Sequence, residues 1–354
     1  MSEVSSLSET ERVGSRRGLS GLGFFGLGSL LLAVSVLAAV SLGAVTIPLE
    51  TVWSIVANKL WSGAFEVTWS RGRENIIWEI RFPRALLAAL VGAGLGMVGT
   101  ALQAITRNPL ADPHLLSISS GAAFGAILAL LHTGLFLGLA TVPLFAFLGA
   151  LAATAIVVLV TRVTDATSVG RLVLAGVAVS FVIMALANLL IFLGDPKATH
   201  TVVFWMLGGL GLAQWSHLLY PLSAVLLCGA YLQFHAGALN AMTIGDETAT
   251  TLGIQVTRFR LRVFICTALL TGVLVAFSGT IGFVGLMVPH IVRFLVGGDN
   301  ARVLPLAALS GAIFLVWADV FSRLILAPED MPIGILTGFV GGLFFIFLLG
   351  RRRT

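Results

Sequence analysis

Charge is what this sequence has least of. Only 10% of its 354 residues are Asp, Glu, Lys or Arg, against about a quarter in an average soluble domain. A soluble enzyme, a disordered tail protein and a nucleic-acid groove all need more charge than this, and those classes are excluded. Lysine is nearly missing: Lys59 and Lys197 are the only two. Neither follows a glycine, so no GxxxxGK[ST] phosphate loop exists and the chain cannot be a P-loop ATPase. There is no HExxH zinc motif and no GxSxG nucleophile turn, which removes the usual intramembrane hydrolases. The two cysteines, Cys228 and Cys266, sit in apolar runs and read as buried thiols rather than a disulfide. No His, Asp or Glu cluster lies in an apolar segment, so a metal site or proton relay has no candidates.

What is present is apolar. Hydrophobic residues make up 58% of the chain, and the mean hydropathy is +1.02. That is a polytopic membrane protein. Glycine, 40 of 354 residues, exceeds its usual share of about 7%. With only 11 prolines beside it, the excess means helices packed backbone to backbone. The net charge of +5 reflects the concentration of Arg and Lys on one side of a membrane, not an affinity for nucleic acid.

Apolar runs long enough to span fall near 19–45, 84–105, 114–131, 141–161, 171–193, 215–235, 259–280, 283–297, 302–327 and 332–349. The eighth is short, with Gly279, Gly282 and Gly285 clustered at its start. An all-α ten-helix domain over 19–349 follows, since barrels read as alternating strands instead. With the N-terminus inside, fourteen basic residues fall on the cytoplasmic side. Seven fall outside: Lys59, Arg71, Arg73, Arg81, Arg84, Lys197 and Arg323. This two-to-one bias places the tails 1–18 and 350–354 in the cytoplasm. Two stripes of small residues recur every four positions: Ala88, Gly92, Gly96 and Thr100, then Gly334, Gly338 and Gly342. They read as packing within the chain in preference to a dimer seam.

The segments between spans carry the distinctive residues. The outer stretch 46–80 holds Trp53, Trp61, Trp69 and Trp78, suiting an interfacial segment. Arg81 and Arg84 open the second span against the positive-inside trend. They read either as snorkelling anchors or as exposed cations offered to an acidic partner. Asn108, Pro109, Asp112 and Pro113 make a cytoplasmic turn. The largest inner loop, 236–258, reads as two very short helices. Thr243 and Asp246 have capping-box spacing there, and Gly253 suits a helix end. This is either a compact knob for a cytosolic partner or an ordinary loop. Asp319 and Arg323 stand four apart with the acid first, the favourable order for an ion pair. Charges in a span are functional by default, although a structural pair is equally consistent. His290 reads as a packed histidine, not a ligand.

Seven strings resemble the FecCD family of ABC-importer permeases, which carry iron-siderophores, haem and cobalamin. They are RFPRALLAALVGAGLGMVGTALQAITRNPLADP at 81–113, SSGAAFGA at 119–126, LAGVAVS at 174–180, FWMLGG at 204–209, GDETATTLGI at 245–254, GTIGFVGLMVPHIVR at 279–293, and AD-x3-R-x7-MPIGILTG from Ala318 to Gly338. They occur in family order over most of 81–349. The resemblance implies ten helices and a homodimer in the bacterial inner membrane, with the path at its centre. It implies two cytosolic ATPase subunits, which hold ATP and Mg, and a periplasmic binding protein; this chain binds no cofactor. It places Arg81, Arg84 and Arg323 at the binding-protein face, against glutamates. It places Thr243, Gly245, Asp246, Glu247, Thr248, Ala249, Leu252 and Gly253 at the ATPase as coupling helices. The stretch 46–80 is longer than the family pattern, and Met331 stands where Leu is common. Transport by alternating access is expected, with siderophore and haem ranked above cobalamin. The rival is an ion-coupled secondary transporter, for which Asp319 is the sole candidate carboxylate.

Overall fold

The computed structural model describes residues 23–113, 117–163 and 169–351. The expected tail 1–18, with Arg12, Arg16 and Arg17, and the last basic residues Arg352 and Arg353 lie outside the described residues. Among the described residues there is helix and no strand. Helices α1 (Gly23–Ser41) and α2 (Leu49–Leu60) precede a long α3 (Arg71–Thr106). Then come α4 (Ile118–Leu128), α5 (Thr141–Val163), α6 (Val169–Leu193), α7 (Pro196–Met206) and α8 (Trp215–Phe234). The short α9 (Ala236–Ile244) and α10 (Asp246–Thr251) lead into α11 (Val256–Ser278), α12 (Val284–Val296), α13 (Asn300–Leu324) and α14 (Ile333–Arg351). Eight of the described helices, α1, α3, α5, α6, α8, α11, α13 and α14, are long and apolar enough to cross a membrane. The apolar stretches Ile118–Thr133 and Val284–Val296 are shorter; they lie where the third and eighth spans are expected.

Helix α3 is the hub. It packs against α8, α11, α12 and α13, and most of it is buried inside the chain. The reason is its lack of side chain. A methyl placed on Gly92 would lie 2.1 Å from the carbonyl oxygen of Gly311, and one on Gly96 would lie 2.3 Å from that of Ala307. The first glycine stripe therefore seats α3 backbone to backbone on α13. The second stripe divides. Gly334 meets the Leu207 carbonyl at a similar 2.2 Å, but Gly338 and Gly342 have nothing within 4 Å of a Cβ.

The start of α3 differs from the sequence expectation. The helix begins at Arg71, not near 84, because Ser70 caps it by accepting from Arg73 N–H. Residues Ile76–Arg81 run as a π-turn in which the Phe82 N–H reaches back to the Ile77 carbonyl. Pro83 has no N–H to continue an ordinary turn, and the π-turn carries the chain past it. Trp78 is consequently half-buried, its ring tilted against Trp215 at 4.8 Å and Phe82 at 5.4 Å. Trp69 is buried. Of the four tryptophans expected at the interface, only Trp61 is exposed.

Candidate functional site

Two polar clusters lie along α3, one just past its π-turn and one at its C-terminal end. In the first, Arg84 Nε donates to Asp319 Oδ1 at 2.7 Å, and Arg84 Nη1 pairs with Asp330. Arg323 Nε meets the other Asp319 oxygen at 3.1 Å. The rest of the Arg323 fork donates to the Leu42 carbonyl at 3.0 Å and the Ala39 carbonyl at 3.1 Å. Arg81 donates to the carbonyls of Val40 at 3.3 Å, Ser41 at 3.0 Å and Val45. These oxygens belong to the last turn of α1 and the residues just after it. The last carbonyls of a helix have no partner within it, and its C-terminus carries partial negative charge. Two arginines satisfy both demands at once. Three cations thus share one buried carboxylate, one surface carboxylate and a helix C-terminus.

This corrects the expectation of exposed cations. Arg81, Arg84 and Arg323 are 4%, 6% and 6% exposed, and their forks are occupied inside the chain. The cluster reaches the surface only through Asp330, whose side chain is 41% exposed. Asp319 is fully buried between two guanidiniums: its Oδ1 accepts from Arg84, while its Oδ2 lies in charge contact with Arg323 without a hydrogen bond. The i,i+4 spacing of Asp319 and Arg323 was readable in the sequence. The entry of Arg84, 235 residues away, was not.

At the far end of α3, Asp246 Oδ1 accepts from Arg260 Nη2 at 2.8 Å and lies 3.6 Å from Arg107 Nη2. Arg260 is buried and also donates to the Ile105 carbonyl at 3.2 Å. One carboxylate on α10 therefore ties that helix to the end of α3 and to α11. A second tie runs from α9: Asn240 donates to Asp299 Oδ1 at 2.8 Å and accepts from the Asn300 N–H at 2.8 Å. Asp299 is the N-cap of α13.

The two short helices stand where the loop reading places them, but their capping differs. Thr243 lies inside α9, its hydroxyl bonded to the Leu239 carbonyl at 2.9 Å. It caps nothing, because α9 continues to Ile244. Gly253, at φ +80°, does end α10. Its N–H donates to the Thr250 carbonyl and that of Ile254 to the Ala249 carbonyl, the Schellman pattern. Ala249 is buried, while Thr243, Glu247, Leu252 and Gly253 are exposed. Ile244 and Leu252 are 72% and 67% exposed, two large apolar side chains, one at the C-terminal end of each short helix. The turn after α3 lies next to it: Arg107 adopts φ 50°, and Asn108 Oδ1 accepts from the Leu110 N–H at 2.9 Å. Asp112 and Pro113 are buried in that turn.

Sequence reasoning missed a third polar contact, midway between α3 and α12. Arg293 donates to Gln103 Oε1 and to the Thr100 carbonyl, while Gln103 Nε2 reaches the Gly285 carbonyl at 3.2 Å. His290 packs edge-on to Phe294 and Phe344. Cys228 and Cys266 are free and half-buried. Among the described residues no three metal-ligating side chains gather.

Residues 31–351 match the model of the FecCD transport family. The hemin transport system permease protein of Yersinia pestis is 38% identical over 328 residues, 92% of this chain and 94% of that one. The vitamin B12 import system permease of Vibrio cholerae is 35% identical over 84% of this chain and 89% of its own. Among solved structures, an ABC transporter described as of metal-chelate type, in an inward-facing conformation, superposes with a TM-score of 0.80. It is 29% identical and covers 92% of this chain and 98% of its own.

Proposed function

Since the chain belongs to the FecCD transport family, whose permeases are membrane transport subunits served by a separate ATPase, we propose that two copies form the path of an ATP-driven importer. The cargo is haem or a ferric siderophore ahead of cobalamin. The hemin permease at 38% identity and vitamin B12 permeases at 35% and 39% support this class of cargo; the order within it follows the sequence expectation. ATPase subunits meet the α9–α10 knob in the cytoplasm, with both termini on that side. A substrate-binding protein meets the arginine end. The central path lies between the copies, where Gly338 and Gly342 of α14 leave a face with no partner in this chain.

The observation that carries this reading is the double tie of Asp246. A helix that protrudes and is bonded to both α3 and α11 transmits a push to the middle of the bundle. ATPase closure on Ile244 and Leu252 would then tilt the helices lining the path. Direction follows from the loaded binding protein's different affinity for the two states. At the other end a carboxylate of the binding protein exchanges with Asp330 at Arg84, while Asp319 holds the fork in place. This keeps Arg81, Arg84 and Arg323 at the docking face as its frame; Arg71 and Arg73, at the start of α3, are exposed.

The test is crosslinking of a single cysteine at Leu252, in a chain with Cys228 and Cys266 replaced, to the co-expressed ATPase. A crosslink whose yield changes with ATP supports the coupling role. No crosslink from Leu252 or Ile244 in any nucleotide state would refute it.

A further inference from the structure

A cavity of about 570 Å³ lies beside the arginine cluster, within the size range of small-molecule sites, about 300–1,000 Å³. Its floor is Ala276–Gly279 at the end of α11, its wall Val142 and Pro143 at the start of α5, and its roof is α7. The lining is nearly all apolar. Of its polar side chains, Ser278 already donates to the Leu274 carbonyl at 2.9 Å, leaving His200, Thr201 and His217.

The roof helix is graded along its length. Lys197, His200, Thr201, Phe204 and Trp205 recur at i, i+3, i+4, i+7 and i+8, so they share one face. Along that face a cation gives way to an imidazole and a hydroxyl, then to two aromatic rings. Lys197, His200 and Phe204 are exposed. The opposite face, with Val202 and Met206, packs into a small core with Ile127 and Ala187 of α4 and α6. The cavity side of α7 is therefore unfilled by this chain. Water has few partners in so apolar a space, and the cavity sits at the ends of helices that cross the membrane.

We propose that this cavity is a phospholipid site: one acyl chain lies on Val142, Phe204 and Ala276, and the phosphate sits at Lys197 and His200. The charge order of α7 matches an amphiphile of that polarity, phosphate at the rim and tail within. The site stands on the membrane-spanning fold and not on the importer reading.

The test uses the full chain in vesicles of phosphatidylethanolamine and phosphatidylglycerol, with trace phosphatidylglycerol bearing a diazirine at the end of one acyl chain. After photolysis, labelled peptides are mapped by mass spectrometry. Peptides covering 139–143, 204–205 and 276–279 should label above the reference peptide around Leu226 and Leu227, which face outward on α8. Excess unlabelled phospholipid should compete. Ala276→Trp fills the floor and should cut cavity labelling about tenfold, the loss from excluding about two methylenes, with the α8 reference unchanged. Leu139→Trp, at an exposed position of the lining, should act likewise if Ala276→Trp fails to fold. Lys197→Glu should also lower labelling. Cavity labelling no higher than the reference, or unchanged by both tryptophans, overturns the proposal. So does displacement of the label by haem or cobalamin but not by phospholipid, which would assign the cavity to cargo.

Discussion

Replacing Asp319 by Asn tests the buried arginine frame. The substitution keeps the shape and removes the one fully buried carboxylate between Arg84 and Arg323. Both guanidiniums are 7% exposed by side chain, so water cannot replace the lost charge. Removing one partner of a buried ion pair costs about 3–5 kcal/mol. Arg84 keeps Asp330, and Arg323 keeps the carbonyls of Ala39 and Leu42; the lower end, about 3 kcal/mol, therefore applies. For a chain longer than 250 residues this is a fall of about 5 °C in Tm, followed by size-exclusion after heating in detergent. Asp330→Asn is the internal comparison. That carboxylate is 41% exposed, and exposed pairs are worth about 1 kcal/mol or less. Adding Arg323→Met to Asp319→Asn should recover part of the loss, since it removes one stranded charge. Equal, small effects of Asp319→Asn and Asp330→Asn would show that solvent screens the cluster, and the frame argument would fail.

Three further substitutions separate the other claims. Gly96→Val places atoms against the Ala307 carbonyl and should abolish folded protein on fluorescence-detected chromatography, whereas Gly338→Val, in open space, should leave the folded chain intact. Asp246→Asn should reduce transport while the protein remains folded, with Asp246→Glu retaining more activity; equal transport by all three forms would remove the transmission role from the Asp246 ties. Gly253→Ala forces a Cβ into φ +80° and should cost about 1 kcal/mol, read as faster amide exchange confined to α10; exchange unchanged there would contradict the Schellman cap.

The fold was legible because it is written in local pattern. Apolar length marked the spans, and the Gly92–Gly96 stripe marked a close helix contact. The clusters were only half legible, because their charges meet across the fold. Asp319 and Arg323 pair by helical spacing alone, but Arg84 arrives from α3, and Asp246 meets Arg107 and Arg260 from two other helices. Their basic residues, counted for topology, looked like surface charge. Only the tertiary structure shows that α1 ends against Arg81 and Arg323 and buries them. Spacing also misleads where two environments share it: Gly338 and Gly342 repeat the Gly92–Gly96 interval, yet a Cβ at either would meet nothing within 4 Å. Thr243 and Asp246 have the interval of a capping box, but α9 runs one residue past Thr243, and the hydroxyl bonds within its own helix.

The central claim is import driven by ATP hydrolysed on another chain. Its direct test is uptake into proteoliposomes holding this chain, its ATPase and its binding protein, with haem, a ferric siderophore and cobalamin compared. The account predicts ATP-dependent accumulation of haem or the siderophore, insensitive to dissipation of ion gradients. Accumulation of none of the three with ATP, or uptake that follows an ion gradient instead, would contradict it.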